Sequence, residues 1–135
     1  MKTVRVFIER GNDGTYGAYM PDDDGLNYGI IGDGNTVEEA KQDFMNVYEA
    51  MKEGFHEDGK YFEEVNFAFY YDVPSFLRYY CNIFSFAGLS RITGISAAQL
   101  SQYANGYRNP SKRTEEKIQK ALCAFGEELT KLQLC

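Results

Sequence analysis

The period of the apolar residues changes once along this chain, near Pro74, and that change calls for two folding units of different kind. Upstream, Val4, Val6 and Ile8 alternate with Thr3, Arg5, Phe7 and Glu9, the period-two pattern of a half-buried strand. Downstream, Phe76, Leu77, Tyr80 and Ile83 form a helical stripe, because residues three and four apart share a helix face. Pro74 suits a first helical turn, where its missing N–H forfeits nothing. A length of 135 residues allows one ordinary domain or two small ones, and 44% apolar residues supply enough material for a core. We read two units, residues 1–73 and 74–135.

Charge divides the chain at the same place. Residues 1–73 carry six Lys/Arg against sixteen Asp/Glu, a net −10, and residues 74–135 carry eight against four, a net +4; together they give the −6 of the whole chain. No acidic residue occurs between Asp72 and Glu115. The first half therefore repels a polyanion and the second tolerates one, so any nucleic-acid contact is expected in the second.

Cys81, Cys123 and Cys135 are odd in number and lack metal-ligand spacing, and His56 is the one histidine. Neither a zinc site nor a disulfide framework is expected. No run of about 18 apolar residues and no apolar leader segment is present, which argues against a membrane span or signal peptide and for the cytoplasm.

In the acidic half, the strand ending near Arg10 is followed by the turn residues Gly11-Asn12-Asp13-Gly14, with Tyr16 to Met20 as hairpin partner and Asn27 to Ile31 as a third strand. The expected sheet is a small antiparallel meander. Thr36 with Glu39 forms a capping-box pattern ahead of Val37, Ala40, Phe44, Val47, Tyr48 and Met51 at helical spacing. That helix should cover one face of the sheet and stop near Gly54, leaving Val65 to Val73 as a last aromatic strand. The fold class expected is α+β, one helix on a small antiparallel sheet, followed by an all-α domain.

The stretch from Tyr16 to Phe44, with Tyr19, Pro21, Asp22, Gly25, Gly32, Thr36, Glu38, Glu39 and Ala40 in order, resembles the HicB antitoxin domain over roughly residues 1–73. The resemblance implies a partial RNase H-like fold. A departure is the lengthened loop with Asp22, Asp23, Asp24 and Asp33. Those carboxylates could be read as a magnesium site, since RNase H-like nucleases hold two such ions. Consecutive aspartates are also ordinary turn chemistry, and a solvated acidic loop is the reading we adopt. Glu9, Glu49 and His56 complete no catalytic set. No enzyme activity, metal or cofactor is expected.

In the basic half, a helix from about Phe86 to Thr93 ends at Gly94, Ile95 points inward, and Ser96 opens a second helix with Gln99 at the capping-box position. Leu100 and Tyr103 share one face while Ala97, Ala98, Gln99, Ser101 and Gln102 occupy the other, and Asn105-Gly106 ends the helix. Two short helices on a tight glycine turn, the second exposing small and amide side chains, suit the reading of a DNA major groove. Leu89, Ile92, Gly94, Ile95, Ser96, Leu100, Ser101, Tyr103, Asn105, Gly106, Pro110, Ile118 and Leu122 make residues 76–126 resemble the Cro/repressor-like (XRE) helix-turn-helix.

That resemblance implies that Ala98, Gln99 and Gln102 face base edges. A glutamine can pair with adenine and an alanine can touch a thymine methyl, while Gln99 has an equal claim to a capping role. Ser101 belongs to the same helix, and Asn105, Tyr107, Arg108, Lys112 and Arg113 fall where the family contacts phosphates. Phe86 stands where relatives often carry a phosphate-binding glutamine, with Arg91 as a candidate replacement. The last helix, Thr114 to about Leu132, carries Ile118, Leu122, Phe125, Leu129 and Leu132, a stripe long enough to close the core and meet a second copy.

Combined, the two resemblances imply an antitoxin of a type II toxin-antitoxin pair. Its acidic domain would neutralise a HicA-like ribonuclease toxin, and its helix-turn-helix, as a homodimer or higher oligomer, would bind double-stranded operator DNA and repress the operon. The alternative is a stand-alone transcriptional regulator whose N-terminal domain senses a ligand or another protein.

Overall fold

The alternation of Val4, Val6 and Ile8 becomes strand β1 (Thr3–Arg10) in the computed structural model, which describes residues 1–135, with those three side chains buried and Arg5 and Glu9 exposed. Strand β2 (Tyr16–Tyr19) pairs antiparallel with β1, and β3 (Ile31–Gly34) pairs antiparallel with β2. Helix α1 (Val37–Glu57) then crosses over, and β4 (Asn66–Tyr71) pairs with β1 in parallel. The sheet order is β3-β2-β1-β4. The sheet is therefore mixed and not the antiparallel sheet expected. A helical crossover returns the chain in the direction it left, so the strand after it joins in parallel.

The expected boundaries of the third strand and of the helix after it move. The third strand lies at Ile31–Gly34 and not at Asn27–Ile31, so Gly32 and Gly34 are strand residues beneath the helix. A Cβ on Gly32 would lie 2.5 Å from the Phe44 backbone nitrogen, and one on Gly34 would lie 2.5 Å from the Glu39 Cβ. Only glycine allows α1 to approach the strand this closely. Helix α1 passes through Gly54 to Glu57 and is capped at Asp58, with Gly59 at φ 68°.

At its start, the Thr36 hydroxyl accepts from the Glu39 amide at 3.1 Å, and the Glu39 carboxylate accepts from the Asn35 amide at 2.8 Å. Val37, Ala40, Phe44 and Tyr48 of α1 are buried against the sheet. Aromatic rings fill that layer: Phe44 and Tyr48 each meet Phe67 edge-on at 5.0 Å, and Tyr28 stacks on Phe62 at 4.4 Å. The Tyr28 hydroxyl donates to the Glu63 carbonyl at 2.6 Å, and burial pushes its pKa up to about 12.

Helix α2 (Val73–Tyr79) packs on β1, α1 and β4 and ends before Tyr80 and Ile83, so the expected stripe from Phe76 to Ile83 is not one helix. Asp72 caps it, one carboxylate oxygen accepting from the Ser75 amide and the other from the Arg10 amide, both at 2.9 Å. Leu77 and Ser75 are buried. The chain accordingly divides into two units at Tyr79/Tyr80, six residues beyond the 73/74 boundary read from the sequence. The second unit, Tyr80–Cys135, consists of α3 (Phe86–Thr93), α4 (Ala97–Ala104) and α5 (Lys112–Lys131). Leu89, Ile95, Leu100, Tyr103, Ala104 and Ile118 form its buried interior. No helix is long and apolar enough to cross a membrane.

Candidate nucleic-acid interface

The joint between α3 and α4 follows from three local devices. Ser85 caps α3 by accepting from the Gly88 amide at 3.0 Å, and Gly94 ends it in the left-handed conformation at φ 75°, where a side chain would be strained. Ser96 then caps α4 by accepting from the Gln99 amide at 3.1 Å. Between the caps, the buried Thr93 hydroxyl donates to the Leu89 carbonyl at 2.7 Å and accepts from the Ile95 amide at 3.2 Å. Leu89, Ile95 and Leu100 bury the inner side of the pair, which fixes the outer side of α4 by elimination.

On that outer side, Ala98 and Gln102 are exposed and Ser101 is half-buried. Gln99 is placed differently: its side-chain amide nitrogen donates to the Tyr103 hydroxyl at 2.5 Å. Its backbone and side chain thus both serve the helix and the core. The Asn105 side-chain amide reaches the Ser101 hydroxyl at 3.4 Å, and Asn105 is the C-terminal cap of α4. Gly106, at φ 76°, turns the chain into an exposed loop with Tyr107 and Arg108.

Ser111 caps α5, accepting from the Thr114 amide at 3.2 Å, so Lys112 and Arg113 occupy the first turn and are exposed. Cations there oppose the helix dipole, whose N-terminal end is positive and attracts anions. Both features favour a phosphate at this end of α5. Arg113, Lys117 and Lys120 line one face of α5 together with Thr114 and Glu116, and Lys117 Nζ lies 3.7 Å from where a Gly94 Cβ would be. Lys117 and Lys120 were not singled out from the sequence, although their spacing from Arg113 is helical and already visible there. Phe86 is half-buried and Arg91 exposed.

In the first unit, the loop aspartates have separate tasks. Asp24 accepts from the Leu26 amide at 2.9 Å, Asp23 pairs with Arg5 at 3.7 Å, and Asp33 lies on β3. No three His, Cys, Asp or Glu side chains converge at metal-ligand spacing. The three cysteines are free and exposed. Compared with known protein families, with known proteins and with solved structures, the chain gives no match.

Proposed function

We propose that this protein is a HicB-like antitoxin, which neutralises a basic HicA-like ribonuclease through residues 1–79 and represses its own operon through an XRE-type helix-turn-helix formed by α3 and α4. The observation that carries the DNA-binding half is the exposure of Ala98 and Gln102 on α4, beside a segment free of acidic residues from Pro74 to Thr114. Gln102 serves base reading, since its amide can pair with adenine. Arg108, Lys112 and Arg113 serve as phosphate contacts that hold the protein in register. Gln99 supports the reading helix through Tyr103.

Dimerisation fits the far end of α5. Leu129 and Leu132 remain 50% and 54% exposed, an apolar stripe that a second copy would cover. The experiment that tests the whole reading is co-expression with the product of the adjacent reading frame, expected to be small and basic, followed by pull-down, together with titration against the promoter fragment. Absence of both complexes would defeat it.

A stand-alone regulator is favoured by one feature, a cleft of about 500 Å³ lined by Lys52, His56, Lys60, Tyr61, Phe62 and Glu64 among others. Lys52 and Glu64 already pair across it at 2.6 Å, which leaves less polar capacity for a ligand.

A further inference from the structure

Within the first unit, no element packs on the face of the sheet opposite α1, and that face carries an apolar row that an outer face would ordinarily lack. The strand registers align Ile31 with Tyr19, Tyr19 with Phe7, and Phe7 with Tyr70, one residue from each of the four strands. The Phe7 ring lies 5.6 Å from Tyr19 and 5.7 Å from Tyr70, and Ile31, Tyr19 and Tyr70 are 68%, 39% and 49% exposed. A sheet with one face left to solvent usually places polar residues on that face, and a contiguous apolar strip on an otherwise acidic surface marks an interaction site.

The next register step gives this strip a charge preference. Glu9 aligns with Gly17, and Gly17 with Asp33. Two carboxylates thus flank a position with no side chain, their backbones about 10 Å apart across two strand spacings. The Tyr19 hydroxyl donates to the Glu9 carboxylate and holds it beside the gap. Nothing in the fold demands glycine at position 17: it is not among the residues with positive φ, and an added Cβ would meet only the Gly32 carbonyl oxygen at 3.9 Å. Arg5 on this face is engaged by Asp23 and by the Phe7 ring, and Arg10, which lines the same hollow as Glu9, Gly17, Tyr19 and Asp33, donates to the Gly11 carbonyl at 3.3 Å.

The geometry points to this open face as the docking surface for a basic protein, with an arginine of the partner entering the Glu9-Gly17-Asp33 notch beside Tyr19. A guanidinium can pair with a carboxylate and stack on an aromatic ring at once, which an ammonium does less well. Residues 1–79 carry seven Lys/Arg against sixteen Asp/Glu, a net −9, so a polyanion is repelled. A second copy meeting the same face would set carboxylate against carboxylate across a two-fold axis. This inference rests on the reading of the first unit as cover for a basic protein and adds the surface and the recognised group.

The test is an NMR titration of the full chain with a decapeptide of alternating arginine and valine, against the same peptide with glutamate for arginine and against oligothymidine. Expected is saturable shifting of the Phe7, Tyr19, Ile31 and Tyr70 amides by the arginine peptide alone. Gly17→Val should weaken binding tenfold or more with the spectrum otherwise retained, and Glu9→Gln with Asp33→Asn should weaken it and flatten its salt dependence. The inference is overturned by shifts that never saturate or that spread over the acidic loops, by equal affinity in Gly17→Val and in the double variant, by preference for oligothymidine, or by self-association through this face in sedimentation. Loss of toxin neutralisation in cells would defeat the antitoxin reading while leaving the peptide result in place. Failure of the peptide would leave neutralisation through another face standing.

Discussion

The side-chain amide nitrogen of Gln99 donates to the Tyr103 hydroxyl at 2.5 Å, one helical turn along α4. Tyr103 is buried, 2% exposed, so the bond, made within α4, ties Gln99 to a core side chain of its own helix. Gln102, three residues further along the helix than Gln99, is exposed. The two glutamines should therefore separate on substitution. Gln99→Ala should lower the stability of the second unit by about 0.5–1.5 kcal/mol, the usual worth of one hydrogen bond. Gln102→Ala should leave stability unchanged and remove about 1–3 kcal/mol of operator preference. Thermal unfolding and duplex titration measure the two. Equal loss of operator preference in both variants would return Gln99 to the base-reading set.

Arg108→Ala and Lys112→Ala should weaken binding to operator and scrambled duplex alike. On the proposed reading each would remove one phosphate contact and its released counterion, reducing the slope of log affinity against log salt by about 1. A titration at several salt concentrations reads it. An unchanged slope would place these cations away from the DNA.

The first unit should need helix α2. Leu77 is 1% exposed, and burying a leucine is worth about 1.5–3 kcal/mol. The Lys41 ammonium lies 4.4 Å from the Tyr79 and Phe69 ring centroids and donates to the Tyr71 and Tyr79 hydroxyls at 2.8 and 3.2 Å. A fragment of residues 1–79 should therefore unfold at higher denaturant than one of residues 1–73. Lys41→Met in the longer fragment should give back about 1–2 kcal/mol of that gain. Equal midpoints for the two fragments would show that α2 contributes nothing.

Two glycines one strand apart should respond in opposite ways. Gly32→Ala would force a methyl to within 2.5 Å of the Phe44 backbone nitrogen, and overpacking of this kind costs about 1–3 kcal/mol. Gly17→Ala has room and should be neutral or mildly stabilising, since glycine weakens a strand interior. Denaturant midpoints of the two variants decide it.

Alkaline pH should loosen the first unit before the second. Burial raises the Tyr28 pKa from its ordinary value near 10 to about 12, so the folded state holds the phenolic proton more tightly than the unfolded chain. That contribution is fully present below pH 10 and is lost as pH rises through about 12. Lys41 acts in the same direction: burial works to lower its pKa, and the Tyr71 and Tyr79 hydroxyls outweigh it to give a net rise. Stability of residues 1–79 should fall across this range, and Tyr28→Phe should flatten the fall. A pH-independent midpoint in the native fragment would contradict the linkage.

Short-range patterns determined a good part of this protein. The alternation in β1, the Thr36 and Ser96 caps, the Gly94 stop and the apolar faces of α4 and α5 each depend on neighbours within about one or two turns of chain, and all are legible in the sequence. The charge change near Pro74 is equally a property of the chain itself. Tertiary structure decided what depends on partners far away in sequence. Gly32 and Gly34 look like loop residues until α1 lies across them. The parallel pairing of β4 with β1 requires the crossover that precedes it. Pro74 opens a helix as expected, yet the burial of Leu77 and the Lys41-Tyr79 contact assign that helix to the first unit. The physical reason is common to these cases: local propensity is set by bonds along the chain, whereas close approach, strand direction and the partner of a polar side chain are set by packing, which the sequence specifies only through the whole fold.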